Sequence, residues 1–438
     1  MWKNEKEQIR KVMNMALSAL LELSEKEYDA FASVHPYANF LNSIYSGRKF
    51  ALRGWDVHYV GIRRDGEIAA ATLLVSVKLH GSYRYYYAPR GFLLDYADHE
   101  LLQAMCQGVK QFAKERNGLY LKIDPYVPYQ EHDQDGKVVE DGFCNQKIVD
   151  DLQACGFVHQ GFTRGYDMAN QCRWMSVLDL REKSEAQLLK QMNAQTRQNV
   201  KNTIKNGIRV RELAYDELDI LYDIVNRTGE RRGFEYLPLS YYQQQLETFG
   251  EHAKAYLSYL DLDDYMARIH EEQEREEKNV ETAQEGLREN PHSKNSTNRL
   301  KSARSHLEAL KKREDEALKL REECGSCVYL AAALFLFYGK EIVYLTSGSN
   351  DQYKKFKGPY ALQWEMIRMA LDQGYDYYNF YGISGLFEKD EDGFGVFDFK
   401  RGFHADVVEL LGDFIMPIHA FAYRNYLRLQ KLRNKIKG

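Results

Sequence analysis

Two stretches of the chain concentrate positive charge with no acid among them. Residues 190–211 carry Lys190, Arg197, Lys201, Lys205, Arg209 and Arg211. Residues 424–437 carry Arg424, Arg428, Lys431, Arg433, Lys435 and Lys437. Cations grouped this way attract phosphates, and they equally make a solvated helix face. Cys324 and Cys327 form one CxxC, but no second pair stands at zinc-site spacing, so neither a metal nor a disulfide framework is expected from the six cysteines. The sequence has no Gly-x4-Gly-Lys-Ser/Thr phosphate loop, no His-Glu-x-x-His zinc motif and no Gly-x-Ser-x-Gly nucleophile elbow. The Gly-x-Gly of GFGVF at 393–397 stands alone and specifies no nucleotide.

The elements that must carry any site form a duplicated pattern. GEIAAATLLVSVKLHGSYRYYYAPRG (66–91), a helix near 98–116 and the strand LYLKIDP (119–125) read as hairpin, loop, helix, strand. SCVYLAAALFLFYGKEIVYLTSGS (326–349), a helix near 359–373 and the strand DYYNFYG (376–382) repeat that order. One order of elements occurring twice predicts two related domains. Between them Leu262, Met266, Ile269, Gln273, Glu276, Val280, Ala283 and Leu287 step by four and three, a heptad seam interrupted at Gln273 and Glu276. Asn290-Pro291 breaks it, with Ser296 or Thr297 expected to cap the next helix. A second seam runs Leu300, Ala303, Leu307, Leu310, Glu314, Ala317, Arg321. Nearly everything off the seams is charged, which predicts an antiparallel two-helix coiled-coil arm over 262–323 rather than a third core.

Composition agrees with a large globular chain. The 438 residues have room for two or three domains, and 44% are hydrophobic. Tyrosine is abundant, 32 against 21 phenylalanines, which suits cleft walls where a ring packs and a hydroxyl bonds. The net charge of −4 implies no partner by itself. No stretch of 18 apolar residues exists, and the first thirty residues are not a signal peptide. The natural start is expected nearer Met13 or Met15, and the location is expected to be cytoplasmic, with peripheral association at the inner membrane face left open.

The duplicated unit resembles the acetyltransferase-like (GNAT) fold, an α/β (α+β) class. In that fold a Gly-rich strand-to-helix loop cradles the coenzyme A pyrophosphate. The corresponding loops here, PRGFLLD and GSNDQYKKFKGPY, lack the tandem glycines that let backbone N–H groups converge on phosphate. A different acyl donor is implied.

YYYAPRGFLLDY (85–96), LYLKIDPYVPYQ (119–130), GFVHQGFTRGYD (156–167), the region 177–211, GPYALQWEMI (358–367), YNFYGISG (378–385) and VFDFKRGF (396–403) resemble the FemABX family, which includes FemA/FemB and MurM/MurN. These are peptidoglycan interpeptide-bridge aminoacyltransferases. The resemblance covers essentially all of the chain after the first dozen residues, and the inserted arm is a feature of the FemA-like branch. It implies transfer of Gly, Ala or Ser from aminoacyl-tRNA to the amine of a stem peptide or growing bridge. The precursor would be UDP-MurNAc-pentapeptide or its lipid-linked form. No metal and no cofactor beyond the aminoacyl-tRNA co-substrate is implied. The domains would be 13–165, completed by 404–438, and 166–261 with 324–403, the arm being 262–323.

An amine attacking an aminoacyl ester must lose a proton, be aligned, and form an oxyanion that is stabilised. The resemblance places Phe399-Lys400 at the family's Phe-Lys pair, where Lys400 would stabilise the oxyanion or hold the tRNA end. It places Asp124 of KIDP on the cleft, orienting the incoming amine or accepting its proton, and Tyr241 against the precursor. Shorter members grip the precursor diphosphate with an arginine where this chain has Leu237. Arg231 or Arg232 is the expected substitute, with Arg48 or Lys49 as a second contact. Arg197, Lys201, Lys205, Arg428 and Lys431 are the expected tRNA contacts. Two other readings stay open: a FemA-like binding partner within a complex of paralogues, and an N-acyltransferase on another amine. Homo- or hetero-association is left open with them.

Overall fold

The computed structural model describes residues 17–79, 81–167, 169–232 and 237–437, without the side chains of 231, 232, 431 and 433–437. The expected start at Met13 or Met15 and the side chains of Arg231, Arg232 and Lys431 therefore lie outside the described residues.

The chain begins with β1 (Leu21–Glu22), α1 (Glu25–Ala32), α2 (Ile44–Leu52), β2 (Asp56–Arg64), β3 (Glu67–Lys78), β4 (Arg84–Ala88), α3 (His99–Glu115) and β5 (Gly118–Ile123). It continues through β6 (Pro128–Glu131), α4 (Gln146–Ala154), β7 (Val158–His159), β8 (Trp174–Asp179), α5 (Glu185–Gln191), α6 (Ala194–Lys205), β9 (Ile208–Leu213), α7 (Leu218–Arg232), α8 (Leu239–Phe249) and β10 (Ala253–Asp261). The arm is α9 (Leu262–Glu289) and α10 (Lys294–Cys324). Then come β11 (Cys327–Tyr338), β12 (Glu341–Ser349), α11 (Gly358–Asp372), β13 (Tyr377–Ile383), α12 (Phe394–Arg401), β14 (Asp406–Leu410), β15 (Phe414–Pro417) and α13 (Ala420–Lys437).

The two copies of the repeat pair in the same way. β3 runs antiparallel to β4, and β4 parallel to β5 across α3. β11 runs antiparallel to β12, and β12 parallel to β13 across α11. β3 and β11 are near-continuous apolar runs because both lie in sheet interiors, where side chains on both faces are covered. Helix α3 starts where Asp98 accepts from the Leu101 N–H, and it buries Leu101, Leu102, Met105, Val109 and Phe112 at helical spacing.

Two crossings tie the lobes together and shift the boundaries expected from sequence. The first sheet is ordered β1-β2-β3-β4-β5-β15-β7, and the second β6-β14-β8-β13-β12-β11-β10-β9. Thus β6, from the first lobe's stretch of chain, pairs with β14 in the second sheet. The return to the first lobe, expected at 404, comes only at β15, which inserts between β5 and β7. Long-range pairing decides this, and no local pattern in 404–410 announces it.

The arm is a helical hairpin of 28 and 31 residues, about 42 Å long at 1.5 Å per residue. Leu262, Ile269 and Ala283 on one helix and Ala303, Leu310 and Ala317 on the other are buried along its seam. The interruptions meet polar partners on the other helix: Gln273 donates to Glu314 at 2.8 Å, and Glu276 bonds His306 at 3.1 Å. A polar layer inside a heptad seam fixes register. Two details differ from expectation. Ser293, not Ser296 or Thr297, caps α10, and Leu320 rather than Arg321 turns toward the core at the arm's base. No helix among the described residues is long and apolar enough to cross a membrane.

Candidate active site

A cleft of about 930 Å³ opens between the lobes, walled by Arg90, Asp124, Thr196, Tyr360, Tyr381 and Lys400 among others. It lies beyond the carboxyl ends of the parallel pairs β4–β5 and β12–β13, where strands diverge and leave a crevice.

On the first-lobe side, β4 ends in a turn whose Arg90 and Gly91 both have positive φ, 59° and 75°. Gly91 is required there, since a Cβ would stand 2.8 Å from the Pro125 Cα. The turn aims the Arg90 N–H at the Asp124 Oδ1, 2.9 Å away, and brings its guanidinium 3.5 Å from Oδ2. Asp124 is only 3% exposed, and burial pushes its carboxyl up to about 6 against the pull of Arg90. Its Oδ2 has no hydrogen-bond partner among the described residues. That oxygen is itself buried, with the Arg90 guanidinium as its charged neighbour.

On the second-lobe side, Lys400 belongs to α12, not to a strand. Gly393 of the lone Gly-x-Gly sits at that helix's N-cap at φ 82°, and Gly395 lines the cleft. Lys400 is 5% exposed, and its Nζ donates to the carbonyls of Tyr381 at 3.1 Å and Gly382 at 2.7 Å. Those carbonyls converge because β13 is irregular between Asn379 and Tyr381, with Tyr381 at φ 64°. Burial lowers the Lys400 ammonium to about 7, with Cys172 a weaker opposing influence. The expected fixed cation is therefore one that exchanges its proton near neutrality. Phe399 packs edge-on against Tyr360 at 5.1 Å and Phe403 at 5.4 Å, which makes it a cleft wall.

Cys172 links the two sides, its carbonyl accepting from both Arg90 Nη groups at 3.3 Å. Behind the cleft, Glu341 is buried and accepts from Asn39, Tyr126 and Asn379, each at 2.9 Å, so both lobes share one carboxylate. Sequence reasoning missed Arg90 and Glu341. Arg90 had a signal, the APRG turn after a strand; Glu341, in an ordinary Gly-Lys-Glu hairpin, had none.

The other expected contacts are dispersed. Tyr241 and Lys49 do meet across the lobe boundary, the Lys49 Nζ lying 4.7 Å from the Tyr241 ring centre. Burial lowers Lys49 to about 7. Neither belongs to the lining of the main cleft, whereas Leu237 does. Arg48 points away and pairs with Glu25 at 2.5 Å. Arg197 is turned onto the carbonyls of Lys190 and Met192, which it caps. Lys205 pairs with Glu272 of the arm at 3.3 Å, Arg209 with Asp261 and Asp264, and Arg211 with Glu217. Lys190 and Lys201 remain as exposed cations of that stretch, and Arg428 is exposed on α13.

Two lobes built on the same hairpin–helix–strand pairing surround a shared cleft. Comparison with known proteins carries this further. The FemAB family model matches residues 23–431. Aminoacyltransferase FemA of Staphylococcus aureus is 34% identical over 415 residues, which is 94% of this chain and 99% of that protein. The crystal structure of FemX superposes with a TM-score of 0.80 at 24% identity, covering 93% of this chain and 99% of that one. The chain belongs to the FemAB family.

Proposed function

We propose that the protein is an aminoacyltransferase that moves an amino acid from aminoacyl-tRNA to the amine of a peptidoglycan precursor stem peptide or its growing bridge. The observation that supports this best is the convergence of Asp124 and Lys400, from different lobes, on one cleft. The FemA relative is named an aminoacyltransferase, which supports the same reaction class here.

In this reading the acceptor amine is oriented by the Asp124 carboxylate, which Arg90 holds in place. A carboxyl near 6 is mostly ionised at pH 7 and attracts an ammonium. The amine gives up its proton to substrate or solvent and attacks the ester carbonyl; the tetrahedral oxyanion forms toward Lys400 and collapses as the ester C–O bond breaks, the tRNA ribose oxygen leaving as a hydroxyl. An amine near 7 is readily protonated when negative charge develops beside it, so its ammonium is strongest in the transition state. Tyr241 and Lys49 contact the precursor at the lobe boundary. Lys201 meets tRNA phosphates, and the aminoacyl-tRNA is a co-substrate, with no further cofactor. The enzyme works in the cytoplasm, against soluble or membrane-borne precursor.

The test is mass spectrometry of UDP-MurNAc-pentapeptide and of lipid-linked precursor, each incubated with the protein and a mixture of charged tRNAs. A mass increase of one aminoacyl residue supports the reading and identifies the residue added. Tight binding of both substrates without transfer would replace it with a binding role.

A further inference from the structure

Helix α13 has two unlike sides. Its inner side is aromatic: Tyr423 and Tyr426 lie 5.0 and 6.0 Å from the Tyr120 ring of β5. Its outer side carries Phe421, Leu429 and Leu432, which are 76%, 59% and 56% exposed. These three stand at i, i+8 and i+11, and therefore on one face of the helix. Arg424 and Arg428, both exposed, fall at i+3 and i+7 along the edge of the same face. Over residues 420–437 the sequence has six lysines and arginines and no acid.

A solvated helix end needs basic residues but gains nothing from three exposed large apolar side chains. An RNA backbone would likewise be met by the cations alone. An apolar stripe bordered by cations instead matches a membrane interface, where the stripe enters the acyl boundary and the cations meet headgroup phosphates. We infer that the outer face of α13 docks the protein on an anionic lipid surface. This goes beyond the transfer reaction and does not depend on it.

The test uses the full chain and vesicles of phosphatidylcholine with or without phosphatidylglycerol, read by co-sedimentation. Binding is expected only with phosphatidylglycerol, and it should weaken as salt rises. Arg424→Glu with Arg428→Glu should lower the partition by at least about 25-fold, taking about 5-fold per cation lost. Phe421→Ser, Leu429→Ser and Leu432→Ser together should abolish it, while the melting temperature stays unchanged because all three residues are exposed. Phe421→Trp adds an emission that brominated phosphatidylglycerol should quench, a readout that needs no loss of function. Equal binding to both vesicle types, or to neither, overturns the inference. So does a dimer that the triple serine variant dissociates, which would make a second copy the occupant. Loss of tRNA affinity in the double glutamate variant with vesicle binding intact would assign the face to RNA instead.

Discussion

Replacing Lys400 with methionine isolates the charge proposed to meet the oxyanion. Methionine keeps the length and apolar bulk, and the site is buried, so the surrounding cleft is retained. Burial carries the ammonium from 10.5 to about 7, which corresponds to about 5 kcal/mol of work against the charged form. A developing oxyanion recovers part of that work, so about 5 kcal/mol is a ceiling on what the charge contributes. The loss of one oxyanion donor elsewhere costs about 10²–10³ in turnover, about 2.7–4 kcal/mol, which fits beneath the ceiling. Lys400→Met should therefore lower kcat by about 10²–10³ with the precursor KM little changed. Steady-state transfer from charged tRNA, with each substrate varied in turn, reads both parameters. The variant also leaves the Tyr381 and Gly382 carbonyls without their donor, at about 1–3 kcal/mol of stability each. Thermal unfolding must therefore accompany the kinetics. Near-normal turnover at saturating substrate would refute the reasoning. A loss confined to the KM for charged tRNA would reassign Lys400 to gripping the tRNA end. The linkage has a definite sign: between about pH 7 and 10.5 the unfolded chain binds the proton that the folded one has released. Wild type should gain stability relative to Lys400→Met as pH rises through that window.

Asp124→Asn should cost less activity than Lys400→Met, since the side chain still accepts at Oδ1 and only its charge is lost. Its carboxyl is raised from 3.8 to about 6 in the fold, so the folded chain binds the extra proton in that window. The wild type should lose about 3 kcal/mol relative to Asp124→Asn as pH rises from 4 to 6, measured by denaturant unfolding; a pH-independent difference would contradict the burial argument. Lys201→Glu should weaken tRNA binding and reduce the log–log salt slope by about 0.9, by analogy with duplex DNA. Lys205→Glu should add little tRNA effect and should loosen the arm, because Lys205 is engaged with Glu272; unchanged affinity in Lys201→Glu would remove this helix from the tRNA site. Glu341→Ala strips the shared acceptor from Asn39, Tyr126 and Asn379 and should destabilise the protein by about 3 kcal/mol or more. A melting temperature within a degree of wild type would show that the lobes do not depend on that carboxylate.

The sequence by itself determined what nearest neighbours control. Apolar runs of strand length, helical spacing and heptad steps depend on residues a few positions apart, so the duplicated hairpin–helix–strand unit and the arm were legible. The missing tandem glycines were legible as well, and the family resemblance of the KIDP and FDFKRGF motifs pointed to Asp124 and Lys400, both of which line the cleft. What only the tertiary structure decided depends on residues far apart in the chain. Acids at 261, 264 and 272 pair with Lys205 and Arg209 of the basic stretch 190–211, which a linear count of charge could not show. Burial against the irregular end of β13 turns Lys400 from a fixed cation into one poised near neutrality. β6 and β15 exchange sheets because an unpaired sheet edge takes whichever strand reaches it, and the chain's path alone settles which one does. Arg90 and Glu341 became visible for the same reason: an ordinary residue becomes part of a site when folding removes water and replaces it with partners from distant parts of the chain.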